Sequence, residues 1–308
     1  MAEIMFAGDD GFDPRVLSGA TCAFGVFDGV HSAHRFLIDQ ARSDARERQT
    51  RAVALTFDID PDELFCAVRL RKLMSNEDRL RELSETGVDA VVAFRFSRAF
   101  AALSPEAFLS RAFAGRVPSC IHVGKNFRFG SKASGGVAEL EAWGGVHGMA
   151  VRAHDLLSLA DEPVSATRIR TLLQAGSIQE ANQLLGRRFR IRGRVLPGRR
   201  EGRDMGFRTA NLAVPRQNRV LADGVYGAYA HVRGATYKAA VSVGISPVFR
   251  EHATATCEVH LLDFSGDIYD EEIAVDFDTW IRPMIEFSSV ERLVETVKSN
   301  IEWIRENL

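Results

Sequence analysis

Two hydrophobic rhythms divide this chain, and together they leave few folds open. Over roughly the first 180 residues, short apolar runs alternate with amphipathic stretches, which predicts βα units around a mainly parallel sheet. Ala20–Val26, Ala52–Phe57, Ala90–Phe94 and Ser119–Val123 read as strands, and His34–Glu47, Asn76–Thr86 and Ser104–Ala114 carry apolar residues at helical spacing. The last of these opens on Ser104-Pro105-Glu106, an N-cap followed by proline at the first helical position. Helices are also expected near Ser165–Ala175 and Ser177–Leu185. From Phe189 the strands follow one another without helices: Phe189–Leu196, Val225–Val232, Lys238–Val243, Ala255–Phe264 and Glu272–Phe277. That spacing predicts an antiparallel sheet or small barrel. A final helix, Val290–Leu308, sets Val290, Leu293, Val294, Val297, Ile301 and Ile304 on one face and is expected to pack them against it. The 308 residues therefore divide into an expected domain over 1–185 and a second over 186–308, each long enough to bury a core.

Charge excludes some functions and leaves others. Thirty-nine basic residues against 41 acidic ones give a net charge of −2, so no global field recruits nucleic acid or an anionic membrane, and any anion site must be local. Cys22, Cys66, Cys120 and Cys257 lie far apart, without CxxC or Cys/His ligand spacing, which argues against zinc and for reduced thiols in a reducing compartment. The opening MAEIMFAGDDGFD lacks the basic flank of a signal peptide, and no apolar run is long enough to span a bilayer. A cytoplasmic protein without a membrane partner is expected; a homo-oligomer is left open.

The segment Gly25-Val26-Phe27-Asp28-Gly29-Val30-His31-Ser32-Ala33-His34 ends the first strand and opens the first helix. An open parallel sheet binds ligands there, at the C-terminal ends of its strands. Gly25 and Gly29 permit close backbone approach, and the helix start offers free N–H groups to a polyphosphate. His31 and His34, three residues apart, share one face of the first turn and could donate hydrogen bonds to phosphate oxygens. Two histidines at a helix start could equally cap it or stand in solvent.

The densest charge is Arg187–Arg203, with eight arginines and one glutamate in seventeen residues. Alternation through Arg188-Phe189-Arg190-Ile191-Arg192 favours a solvated strand face over an RNA-binding patch, with Phe189, Ile191 and Val195 turned to the core. The loop that follows, Gly198-Arg199-Arg200-Glu201-Gly202-Arg203-Asp204-Met205-Gly206-Phe207-Arg208-Thr209-Ala210-Asn211, has glycine spacing suited to phosphates. Thr209 and Asn211 project to one side of an extended segment, where oxygen ligands of this kind suit Mg²⁺.

Taken in order, these motifs resemble the bacterial bifunctional riboflavin kinase/FMN adenylyltransferases, the FAD synthetases, over about residues 15 to 305. The match includes the Gly25–His34 signature, Val123-Gly124-Lys125-Asn126-Phe127-Arg128-Phe129-Gly130 and Ser165-Ala166-Thr167-Arg168-Ile169-Arg170. It continues with the Gly198–Asn211 loop, Asp223-Gly224-Val225-Tyr226, Pro247-Val248-Phe249, Glu258–Phe264 and Gly266-Asp267-Ile268-Tyr269. The resemblance implies a Rossmann-like nucleotidyltransferase domain followed by a β-barrel riboflavin kinase domain. It implies that riboflavin and ATP give FMN at the barrel, and that FMN and ATP give FAD and pyrophosphate at the parallel sheet, each with Mg²⁺. By the same resemblance, His31 and His34 act at the adenylyl-transfer site, and Gly25, Phe27, Asp28, Gly29, Ser165, Thr167 and Arg168 hold ATP phosphates there. Asn126, Phe127, Arg128 and Phe129 are then flavin-binding. In the kinase, Gly198, Gly202, Arg203 and Gly206 hold phosphate, Thr209 and Asn211 bind Mg²⁺–ATP, and Glu258 is the general base.

Several positions depart from the family pattern: Ala33 replaces glycine, Ala166 a serine, Arg208 a proline and Val248 a threonine. In Asp58-Ile59-Asp60-Pro61 the family histidine is gone, and Asp60 is expected to set a carboxylate toward the nucleotide phosphate. Two alternatives follow from these departures. One is a kinase with a degenerate N-terminal domain; the other is a non-catalytic flavin or nucleotide sensor.

Overall fold

Six strands, β1 (Glu3–Ala7), β2 (Thr21–Phe24), β3 (Ala52–Phe57), β4 (Ala90–Phe94), β5 (Cys120–Gly124) and β6 (Ala150–His154), form a sheet ordered β1-β4-β3-β2-β5-β6 in which every pairing is parallel. This is seen in a computed structural model that describes residues 1–10, 12–65, 71–113, 115–197, 207–214, 220–244 and 256–308, Thr256 by its backbone alone. The chain divides into two units, Met1–Leu70 with Met74–Ala166, and Arg71–Leu73 with Thr167–Leu308.

Period-two alternation in the strands decides what each face of the sheet can accept. Phe24, Phe57 and Phe94 point to one face, where Phe108 and Leu109 of α5 (Pro105–Phe113) and Leu140 and Trp143 of α6 (Val137–His147) cover them. Ala23, Ala54 and Ala93 point to the other, against Leu37, Ile38 and Ala41 of α1 (Ser32–Arg48) and Leu80 and Leu83 of α3 (Asn76–Ser84). Short helices α2 (Asp62–Phe65) and α4 (Arg98–Ala101) follow β3 and β4. Because both faces are covered, β3 and β4 are buried throughout and read as continuous apolar runs. The edge strands β1 and β6 are half-exposed, and their mixed sequences, EIMFA and AVRAH, escape a search for such runs. Helix α6 carries a weak sequence signal, since its two glycines and weak amphipathicity blur the helical period.

From β2 the chain adds β3 and then β4 on one side, and β5 returns to the other side of β2. The order reverses between β2 and β5, which puts the ligand crevice of an open α/β sheet outside their C-terminal ends. A two-stranded ribbon, β7 (Ser158–Leu159) with β8 (Glu162–Pro163), precedes α7 (Ala166–Gln174) and α8 (Ile178–Leu185).

In the second unit β9 (Phe189–Leu196), β10 (Ala210–Leu212), β11 (Gly224–Val232), β12 (Ala235–Gly244), β13 (Thr256–Leu261) and β14 (Glu272–Pro283) close into an antiparallel barrel ordered β10-β13-β12-β11-β14-β9. Three-residue β10 completes the closure by pairing with both β13 and β9. Phe189, Ile191 and Val195 are buried inside, as alternation requires. The arginines between them meet acids across the strand pair: Arg188 on Asp278, Arg190 on Asp276 and Arg192 on Glu272. Asn182 of α8 ties that helix to the barrel, donating to Phe277 O (2.9 Å) and accepting from Phe189 N (2.7 Å). The closing helix α9 (Val290–Asn307) corrects one expectation: only Ile301 and Ile304 are buried, against Leu262, whereas Val290 is 59% exposed. Its apolar stripe outruns the patch of barrel available to cover it.

Candidate active sites

The first site grows from the sharp turn after β2. Phe27 (φ 61), Gly29 (φ 80) and Val30 (φ 40) take left-handed backbone, so the chain reverses within a few residues and delivers His31 to the start of α1. His31 occupies the N-cap, yet its side chain makes no capping hydrogen bond, so the capping alternative does not explain it. The imidazoles of His31 and His34 stack with ring centroids 3.6 Å apart, and Phe27 presents its edge to His34 at 5.2 Å. Two protonated rings at that spacing would repel strongly. Burial, His31 beside it and the Arg79 guanidinium hold His34 well below the ordinary imidazole range. Its enclosed Nδ1 has no hydrogen-bond partner among the described residues. Asp28 is buried beneath the same turn, and the Gly25 backbone lies so close to the Phe27 ring that a methyl group there would approach it to 3.1 Å.

The loop after β5 stands on the other side of the crevice. Main-chain bonds between Phe129 and Gly135 close it (3.1 and 2.9 Å), and the Phe127 ring packs on Phe24 at 5.1 Å. Asn126 and Arg128 are exposed, Phe127 is half-buried, and Phe129 lies in the core against Phe108. Elsewhere, Ser165 directly precedes α7, whose first turn carries Thr167 and Arg168. Ala33 falls in the first turn of α1, and Ala166 is the first residue of α7.

Asp60 has local partners. Its side chain is 7% exposed, its Oδ1 accepts from Asp62 N at 3.0 Å at the start of α2, and the Arg79 charge faces it. A carboxylate engaged in this way satisfies a free N–H at a helix start and helps to offset a buried cation.

The cysteine spacing concealed another grouping. Cys120 and His122, two apart on β5, share a strand face with Asp44 of α1 above them, their ligand-type atoms all within 4.8 Å of one another. Burial raises Asp44, and bonds from Arg48, Cys120 and His122 more than reverse this, leaving it at about 2. Burial and Asp44 push the Cys120 thiol up to about 11. His122 bridges Asp44 Oδ2 (3.1 Å) and His154 Nε2 (2.9 Å). The protonated thiol and the satisfied carboxylate make this a hydrogen-bonded network near the far end of α1 from His31.

The second site lies on the outside of the barrel. Ala210 and Leu212 of β10 turn inward, so Asn211 turns outward; Cys257 and Val259 of β13 do the same for Glu258. Asn211 and Glu258 are direct cross-strand partners, and Ser242 of β12 partners Glu258 on its other side. A cavity of about 570 Å³ opens beside Asn211, lined also by Thr209, Asp263, Asp267, Tyr269 and Arg305 among others; Glu258 is not part of its lining. Thr209 and Asn211 bring uncharged oxygens to a space edged by two carboxylates, a donor set that fits a hard divalent cation. The exposed Arg208 accepts a bond from His260 Nδ1 at its carbonyl (2.8 Å). Gly198, Gly202, Arg203, Gly206 and Val248 lie outside the described residues.

Comparison with known proteins follows the same division. The FAD synthetase family profile matches residues 13–168, and the riboflavin kinase profile matches residues 185–308. A bifunctional riboflavin kinase/FMN adenylyltransferase from Listeria monocytogenes is 31% identical, over 90% of this chain and 89% of its own. The protein of that name from Escherichia coli K12 is 33% identical, over 89% and 88%. A crystal structure described as a macrolide-efflux protein from Streptococcus pneumoniae superposes with a TM-score of 0.86 at 30% identity, covering 99% of both chains. Among the described residues no helix is long and apolar enough to cross a membrane. Both halves matched in order, at this identity and over nearly the whole length, the chain belongs to the bifunctional riboflavin kinase/FMN adenylyltransferase family.

Proposed function

We propose that this chain makes FAD from riboflavin in two ATP-dependent steps, phosphorylation within residues 186–308 and adenylylation within residues 1–185. The observation that carries the reading is the cross-strand pairing of Glu258 with Asn211, which lines a cavity together with Thr209. At the barrel, Glu258 accepts the proton of the riboflavin 5′-hydroxyl. The oxygen attacks the γ-phosphorus of ATP in line, the bond to the bridging oxygen breaks, and ADP leaves with that electron pair. Thr209 and Asn211 would hold Mg²⁺, which when bound offsets the phosphate charge. Phosphate contacts from Gly198, Gly202, Arg203 and Gly206 complete the reading.

At the parallel sheet, an FMN phosphate oxygen attacks the α-phosphorus of ATP and pyrophosphate leaves. His31 and His34 donate hydrogen bonds to the phosphates at a helix start whose N–H groups favour anions. Asn126, Phe127, Arg128 and Phe129 are proposed on the flavin side, and Ser165, Thr167 and Arg168 on the phosphate side. The bond that Asp60 accepts from Asp62 N and the nearby Arg79 charge offset its carboxylate, which favours an active site here over a degenerate one. Buried Cys22 and Cys120, which form no disulfide among the described residues, favour a cytoplasmic location.

The test is direct. Purified protein is incubated with riboflavin, ATP and Mg²⁺, and FMN is resolved from FAD by chromatography. FMN with FAD is expected; FMN alone would leave only the kinase, and neither product would favour a sensor.

A further inference from the structure

Among the wholly enclosed side chains of the described residues, Arg79 is the largest, 2% exposed on a helix that packs against the His31 turn. An arginine keeps its charge when buried, so enclosing one is costly unless its donors are met. Here they are met by main chain and side chains at and just past the ends of two strands. Nη1 donates to Val26 O (2.9 Å) and Thr56 Oγ1 (2.6 Å), and Nη2 donates to Phe57 O (2.8 Å), Asp58 O (3.4 Å) and Asn76 Oδ1 (3.1 Å). Val26 begins the turn that carries the histidines, Phe57 ends β3 and Asp58 follows it. Past the bond from Gly25 N to Leu55 O (3.1 Å), Arg79 supplies cross-links between these strand ends. The charged groups that reach Arg79 are Asp60, Asp28, Glu63 and Asp58, and those that reach His34 are His31 and Arg79.

We propose that Arg79 is a positioning residue for adenylyl transfer: its buried guanidinium clips the ends of β2 and β3 together behind the His31–His34 turn and places a fixed charge near His34. This rests on the assignment of adenylyl transfer to the parallel-sheet unit. Two jobs, a geometric clip and a fixed charge, separate under substitution. Lysine keeps the charge but cannot span both strand ends with a planar fork; methionine removes both.

The test compares the wild-type chain with Arg79→Lys and Arg79→Met. FAD formation from FMN and ATP is measured as kcat and KM against pH, and His31 and His34 are titrated by NMR of their ring protons. Riboflavin phosphorylation by the same samples checks protein integrity. Arg79→Met is expected to lose about 100-fold in kcat/KM, the scale of a reacting group displaced by about an ångström. Its His34 midpoint should rise, because a neighbouring cation has gone. Arg79→Lys should lose at least tenfold in rate with the midpoint unmoved. Wild-type kcat/KM in either variant would overturn the clip, and a rate loss in Arg79→Met without a midpoint change would reduce Arg79 to a packing role. If Arg79→Met does not fold, the lysine variant decides alone, wild-type rates again overturning the clip. Wild-type protein that forms no FAD would defeat the adenylyl-transfer reading itself and this role with it, an outcome visible without either variant.

Discussion

Asn211 and Glu258 stand opposite one another across the β10–β13 pair, with their side chains on the outer face of the barrel. Forty-six intervening residues return through β11 and β12 to bring a carboxylate beside an amide next to a polar cavity. Opposed residues on one sheet face have Cβ atoms only about 5 Å apart, close enough for two side chains to serve one substrate.

Glu258→Gln should therefore lower riboflavin phosphorylation by about 10²- to 10⁴-fold, the usual contribution of a positioned base. FAD synthesis from supplied FMN should persist in the same protein. Product analysis with each substrate in turn checks this, and equal loss of both reactions would contradict separate sites.

Replacing both His31 and His34 by alanine should abolish FAD formation while riboflavin phosphorylation continues. The two rings stack at 3.6 Å, and His31 makes no capping bond whose loss would unseat α1. An unchanged FAD rate in the double variant would remove the histidines from the reaction.

Stability should fall as the solution is acidified below about pH 6.5. His34 is held low by burial, His31 and Arg79, and His122 by burial that outweighs its bond to Asp44. The unfolded chain takes up these protons near pH 6.5 and the folded chain does not. Protons then favour unfolding, by at most about 1.4 kcal/mol per pH unit for each histidine. Thermal unfolding at pH 7.5 and 5.5 should show a lower Tm at the acid value, and His122→Asn should shrink the difference. A Tm that rose on acidification would reverse the assignment.

Gly224→Ala should destabilise the barrel by about 1–3 kcal/mol, the usual cost of forcing a methyl group into a filled core. A Cβ at that position would fall 2.5 Å from the Trp280 ring and 2.8 Å from Arg282 O. Denaturant unfolding followed through tryptophan fluorescence measures the change, and wild-type stability would show that Trp280 can yield.

Local pattern made much of this molecule legible. Runs such as Ala52–Phe57, Ala90–Phe94 and Phe189–Leu196 are strands with the bounds their hydrophobicity suggests, because complete burial or strict alternation leaves an unambiguous period. The glycines and histidines of Gly25–His34 announce a strand-to-helix turn for the same reason, since the backbone there admits few residues. Edge strands β1 and β6 carry weaker signals because water covers part of them.

What the chain order could not contain is adjacency between distant segments. Barrel closure depends on three-residue β10 meeting both β9 and β13, and no short window of sequence states that choice. Asp60 looks, in sequence, like a carboxylate in the path of a phosphate; only the fold shows that it is buried, bonded by Asp62 N and within reach of the Arg79 charge. Arg79 itself reads as one more charged residue on an amphipathic helix. Only packing, which encloses it and offers it the carbonyls of two strands, gives that charge a position. Residue type and spacing decided which chemistry the protein carries, and the low-dielectric interior decided which charges are paired and where they face.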